Sequence, residues 1–200
     1  NTSCDVTDIL AFRAKLKESG EALGMGNITL NDIVLYAVAK TILNHKDLNA
    51  NLFGETIRYF NTVNLGVAVD TPRGLMVPVI KGAEKLSLAE ISAHAKALAN
   101  DAKSGSINPD LLNGGSFSVS NLGSLGVESF TPVINPPQTG ILGVDNMQTK
   151  VKLVDGQPVY YQSMGLSLTF DHRAIDGAPA ARFLKDLCTA LENFSLLLAK

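Results

Sequence analysis

An α+β fold, a mixed β-sheet flanked by helices in a two-layer sandwich, is what this 200-residue sequence predicts. Three observations carry that expectation. Apolar residues make up 46% of the chain against 18% charged, a balance that supports a packed core. Four segments show helical apolar spacing, and seven others alternate or run apolar over strand length between turn signals. The two kinds intermix without a regular strand–helix–strand rhythm, which argues against an all-parallel sheet. No repeat at a fixed period is found, so residues 1–200 read as one domain.

The elements follow in chain order. Between Asp8 and Lys17, apolar Ile9, Leu10, Phe12 and Leu16 fall at helical spacing, and Gly20 is a stop signal. Thr29 or Asn31 can cap a second helix, whose Ile33, Val34, Ala37, Val38, Thr41 and Ile42 form a wide apolar stripe. Thr56–Phe60 and Val63–Val69 alternate as strands, and Met76–Ile80 is a short apolar run. A third helix spans Leu86–Ala102, with Ser87 and Glu90 spaced as a capping box. Alternation in Ser116–Ser120 puts Ser116, Ser118 and Ser120 on one face of a strand. Ile141–Val144 and Lys150–Leu153 are strands, Asp155-Gly156 is a hairpin turn, and a long strand runs from Val159 to Phe170. Asp176 opens a fourth helix through Ala180, Phe183, Leu184, Leu187 and Leu191.

Composition excludes several functions. Seventeen basic against nineteen acidic residues give a formal charge of −2, not the basic excess of a nucleic-acid binder. No run approaches the ~20 apolar residues that span a bilayer, and the opening residues lack a basic-then-apolar leader. A cytoplasmic, non-membrane protein is expected. Cys4 and Cys188 form no CxxC and are too few to staple a fold of this size.

Three histidines stand in different settings. His45, beside Lys46 and Asp47, is expected to cap a helix or face water, and so is His94 among small residues of the third helix. His172 differs, because it stands where a long apolar strand stops, in Asp171-His172-Arg173-Ala174-Ile175-Asp176-Gly177. Such a junction can present a side chain to a ligand. An imidazole titrates near ~6.5, and a positioned base contributes ~10²–10⁴ in rate. No GxSxG elbow or nearby cysteine offers a protein nucleophile, which implies direct attack by a substrate thiol on an acyl donor. No histidine or cysteine lies at metal-ligand spacing from His172, so no metal is expected. The plainer alternative makes Asp176 a helix cap and Asp171–Arg173 a surface ion pair.

Several segments in one order resemble a known family. Ser167 through Gly177 resembles the DHRxxDG signature of the dihydrolipoamide acyltransferases, core components of 2-oxo acid dehydrogenase complexes. Gly114–Gly123 is similar to that family's GGTFTISNLG segment, Thr131–Gln138 to its INPPQ segment, and Ile141–Val144 to the strand that follows. Asn64–Pro72 and Gly74–Ile80 resemble a further block. The resemblance implies a chloramphenicol-acetyltransferase-like fold and homotrimers that build large hollow cores. It implies acyl transfer, acetyl being favoured, from S-acyl-dihydrolipoamide to coenzyme A. The lipoyl group arrives on a separate domain, and the dehydrogenase and decarboxylase components are further partners. His172 would be the base and Ser120 the oxyanion donor, drawn from neighbouring subunits, with Asp176 supporting the loop. Alternation alone does not choose among the three serines. Asn121 and Gly123 read as turn formers, the glycine at positive φ.

Two departures are visible. The family's basic N-terminal helix, its lipoyl domain and its peripheral-subunit-binding domain have no counterpart here, which suggests an excised core. Asp145-Asn146 stands where relatives commonly carry another glycine, and is read as loop variation. A non-enzymatic assembly core, an inactive fragment and a stand-alone chloramphenicol-type acetyltransferase remain as alternatives.

Overall fold

The computed structural model describes residues 1–199. The chain opens with β1 (Thr2–Asp5), α1 (Thr7–Ser19) and α2 (Leu30–Thr41). Thr29, not Asn31, caps α2. Its hydroxyl accepts from the Asp32 amide at 3.2 Å while the Asp32 carboxylate accepts from the Thr29 amide at 2.8 Å. Helix α2 is buried nearly all round, which is why its apolar stripe is so wide.

Short strands β2 (Ala50–Phe53) and β3 (Thr56–Tyr59) make a hairpin, of which only the second was foreseen. The two runs expected as single strands are each broken in two. They give β4 (Leu65–Val67) with β5 (Val69–Thr71), and β6 (Gly74–Met76) with β7 (Val79–Ile80). The break lets β4 and β7 join the main sheet while β5 and β6 form their own hairpin. Helix α3 (Leu88–Ser104) opens with the expected Ser87–Glu90 box. Strand β8 (Phe117–Asn121) follows. Next come β9 (Gly140–Val154), β10 (Gln157–Phe170), α4 (Gly177–Glu192) and the short α5 (Phe194–Leu198). What alternation suggested were two strands before the hairpin turn is the one strand β9.

The main sheet runs β1-β10-β9-β8-β4-β7, parallel at β4–β8 and β8–β9 and antiparallel elsewhere. The mixed α+β sheet is therefore as predicted. Helix side chains pack on one face, where Ile33, Leu35, Phe117, Leu142, Leu166, Phe183 and Leu187 are all but sealed from solvent. Among the described residues no helix is long and apolar enough to cross a membrane.

Candidate active site

Strand β8 carries Ser118 and Ser120, Ser116 stands one residue before it, and hydrogen bonding separates the three. Ser116 Oγ donates to Asn49 Oδ1 at 2.6 Å and accepts from the Asn64 amide at 3.0 Å, fully buried. Ser118 Oγ donates to Gln138 Oε1 at 2.7 Å, also fully buried. Both hydroxyls are committed to the scaffold. Ser120 is half-buried, and among the described residues no hydrogen bond engages its hydroxyl. Of the three, it alone has a hydroxyl left for a ligand.

The turn after Ser120 is fixed from both sides. Asn121 Oδ1 accepts from the Gly123 amide at 3.0 Å, and Asn121 Nδ2 donates to Asn31 Oδ1 at 2.9 Å. Asn121 is thus a turn former, as expected. Gly123 is not at positive φ; that conformation belongs to Gly126, at φ 79. Gly123 is small for another reason, since a Cβ there would sit 2.5 Å from the Asp145 carbonyl oxygen.

Strand β10 delivers His172. The Asp171 amide donates to the Thr139 carbonyl at 2.8 Å, carrying the strand one residue beyond Phe170. The Asp171 carbonyl then accepts from Ala174 and Ile175, and buried Ile175 anchors the turn. The Asp171 carboxylate grips Arg173 through Nε at 2.9 Å, Nη2 at 2.6 Å and the backbone amide at 3.0 Å. That guanidinium holds the Asp171 carboxyl below the usual carboxylate range. The foreseen ion pair exists, and it braces the turn at whose tip His172 stands.

The imidazole is 72% exposed and leans on the Phe170 ring, centroids 5.6 Å apart. Its Nδ1 lies 3.8 Å from Asp176 Oδ1, beyond hydrogen-bond reach but close enough for charge attraction. Asp176 occupies the N-cap position of α4 with extended backbone, yet its side chain makes no capping hydrogen bond. It faces the histidine instead.

Ser120 and His172 do not meet within the chain. Ser120 is level with Gly143, and Gly143 with Ser167. Two strand spacings are ~10 Å, and the residues from Ser167 to Phe170 add about as much along the strand. The side chains are therefore on the order of 15 Å apart, too far to touch one reacting carbon. Asp176 joins His172; Ser120 stays apart.

The other histidines are structural or solvated. His94 is exposed on α3. His45 is largely buried, because its Nε2 lies 3.0 Å from Asp186 Oδ2 and its ring meets Phe183 edge-on. Of the two expected roles, capping holds, since His45 is the C-cap residue of the short 3-10 turn Ile42–Asn44 with its amide donating to the Ile42 carbonyl at 2.8 Å, and only facing water is corrected by that packing. Asp145-Asn146 is likewise no loop, since both lie within β9 and Asp145 is buried. Periodicity gave no sign of this, because a β-bulge opposite Met164 and Leu166 turns the strand there.

Residues 1–199 match the family model described as the 2-oxoacid dehydrogenases acyltransferase catalytic domain. The chain belongs to this acyltransferase family. It is 41% identical to the dihydrolipoyllysine-residue acetyltransferase component of the pyruvate dehydrogenase complex of Mycoplasma capricolum, over 90% of this chain and 41% of that one. It is 40% identical to the corresponding component of the acetoin cleaving system of Bacillus subtilis, over 97% of this chain and 49% of that one. This acyltransferase chain thus spans about half the length, or less, of those relatives. Its fold superposes on the Azotobacter vinelandii dihydrolipoamide acetyltransferase with TM-score 0.93 and 35% identity, covering 98% of this chain and 82% of the other. A structure of the cubic core of the pyruvate dehydrogenase multienzyme complex matches equally well. Chloramphenicol acetyltransferase, at TM-score 0.56 and 14% identity, shares the fold alone.

Proposed function

We propose that this chain is the catalytic core of an acetyltransferase component of a 2-oxo acid dehydrogenase complex. It moves an acetyl group from S-acetyl-dihydrolipoamide to coenzyme A. One observation carries the assignment of the site. The Azotobacter vinelandii structures address the role of a serine, a histidine and an asparagine in the catalytic mechanism. Ser120, His172 and Asp176 stand at the same intervals from one another as those three residues, with aspartate in place of asparagine.

The chemistry follows from the side chains. Asp176 faces Nδ1 of His172, which favours the proton on that nitrogen and leaves Nε2 to act as base. Nε2 takes the proton of the coenzyme A thiol, and the thiolate attacks the thioester carbonyl. The oxyanion that forms accepts a hydrogen bond from the Ser120 hydroxyl. Collapse breaks the bond to the dihydrolipoyl sulfur, which recovers the proton from the imidazolium.

Because Ser120 and His172 are far apart in one chain, the working site joins the serine of one subunit to the histidine of the next. A homotrimer supplies that arrangement, and trimers can build a larger core such as the cubic one of the pyruvate dehydrogenase relative. In this reading the lipoyl domain brings the acetyl group, the decarboxylase and dehydrogenase components flank the core, and the setting is the cytoplasm. The test is coenzyme A acylation from S-acetyl-dihydrolipoamide, comparing wild type with His172→Ala. A loss of 10²-fold or more is expected; an unchanged rate overturns the base assignment.

A further inference from the structure

Past Val119, the strand that carries Ser120 is supported on one side only. Strand β4 follows β8 as far as Val67, opposite Val119, and its chain then leaves for the β5–β6 hairpin. Among the described residues, Ser120 and Asn121 keep only β9 as a strand partner, opposite Gly143 and Val144. On the helix side, this end of β8 borders a cavity of about 450 Å³ whose lining includes Leu30, Val67, Val119 and Val144. Close packing therefore does not fix the strand end there. An oxyanion donor must be held within about 0.5 Å of its productive place, so whatever ties this end of β8 belongs to the site.

The tie is a hydrogen bond at the rim of that cavity. The Gly123 amide can only donate, so the Asn121 side-chain oxygen faces it, at 3.0 Å, and the Asn121 nitrogen is turned away. That nitrogen donates to Asn31 Oδ1 at 2.9 Å. Asn31 thus serves as an acceptor, a role that needs its side-chain oxygen and not its nitrogen.

Asn31 is itself firmly held. It lies between Thr29 and Asp32, the two halves of the capping box that opens α2. Asp32 is buried and also accepts from Ser92 Oγ of α3 at 2.8 Å. The anchor is thus fixed by two helices, while the strand it grips is paired along one edge. We infer that Asn31 is a positioning residue for the Ser120 hydroxyl, acting through Asn121. This rests on the reading of Ser120 as the oxyanion donor. Because that hydroxyl meets charge only as it develops, loosening it is felt in the transition state and not in substrate binding.

A double-mutant cycle on coenzyme A acylation from S-acetyl-dihydrolipoamide tests the inference. Asn31→Ala should lower kcat about fivefold or more, with KM for both substrates within about twofold of wild type. Asn31→Asp keeps an acceptor oxygen and should recover most of the rate lost in Asn31→Ala. In the Ser120→Ala background, Asn31→Ala should cost nothing further, because the hydroxyl it positions is gone. A smaller loss in Asn31→Ala, or one confined to KM, overturns the inference. So do losses that multiply in the double variant, or an Asn31→Asp enzyme as slow as Asn31→Ala. A Ser120→Ala enzyme as fast as wild type overturns instead the oxyanion reading beneath it.

Discussion

Ser118 Oγ donates a 2.7 Å hydrogen bond to Gln138 Oε1, both residues being buried, two positions before the half-exposed Ser120. Neighbouring serines on one strand face thus have opposite duties, and their substitutions should separate. Ser118→Ala strands the amide oxygen of Gln138 and should cost about 1–3 kcal/mol of stability, read as a lowered Tm. Ser120→Ala should leave Tm unchanged and lower the acylation rate by 10²–10³-fold, the usual toll for removing one oxyanion donor. Equal losses of activity at near-equal Tm would erase the distinction.

Mixing two dead variants tests the shared site. His172→Ala and Ser120→Ala are each expected to be nearly inactive alone. Randomly mixed cyclic trimers of the two would contain intact sites in about a quarter of positions, and should recover about that share of the wild-type rate. No recovery after complete subunit exchange would place serine and histidine in separate mechanisms.

In the proposed mechanism Asp176 positions His172; its side chain is 86% exposed and makes no capping bond. Asp176→Asn retains an oxygen facing Nδ1 and should keep most of the activity. Asp176→Ala should lower kcat about tenfold or more without lowering Tm. A drop in Tm of several degrees for Asp176→Ala would make it a helix cap after all.

The brace between Asp171 and Arg173 has a pH signature. A carboxyl held low by its partner adds stability that is fully present above its unfolded value near ~3.9 and is lost as pH falls through the lower folded value. The turn should therefore be ordered at neutral pH and loosen only in acid below about pH 4. Asp171→Asn should bring the loosened state to neutral pH. Amide hydrogen exchange at Ala174 and Ile175, whose N–H groups bond the Asp171 carbonyl, reads this directly. Unaltered protection in the variant would show that the ion pair is decorative.

Much of this architecture could be read from spacing alone. Helices α1 to α4, the capping box at Ser87 and the Asp155-Gly156 turn follow local rules, and the structure keeps them. The break at Ala68 has no signal in the sequence, because both flanks are equally apolar and only pairing partners decide where a strand leaves the sheet, whereas the break at Val77-Pro78 carries one in the proline. The site was legible as motifs at His172 and Asp176. Alternation does not choose among the three serines and only the motif resemblance selects Ser120; the physical reason lies in Asn49 and Gln138, remote in sequence, which engage Ser116 and Ser118. Asp145 was misjudged because burial of a carboxylate inside a bulge leaves no periodic trace.

One feature of the sheet bears on how the protein is made. β8 pairs with β9 only from Ile141 to Val144, and β1 with β10 only from Ser163 to Leu166. Past those points the ribbon is two strands wide, with both outer edges open and apolar tips at Leu153 and Tyr160. If copies assemble as proposed, a newly folded one is adhesive before it is useful. Yield on refolding should peak at an intermediate concentration. Greater dilution starves the ribbon of its rightful neighbours, and crowding lets it stick to unfolded ones.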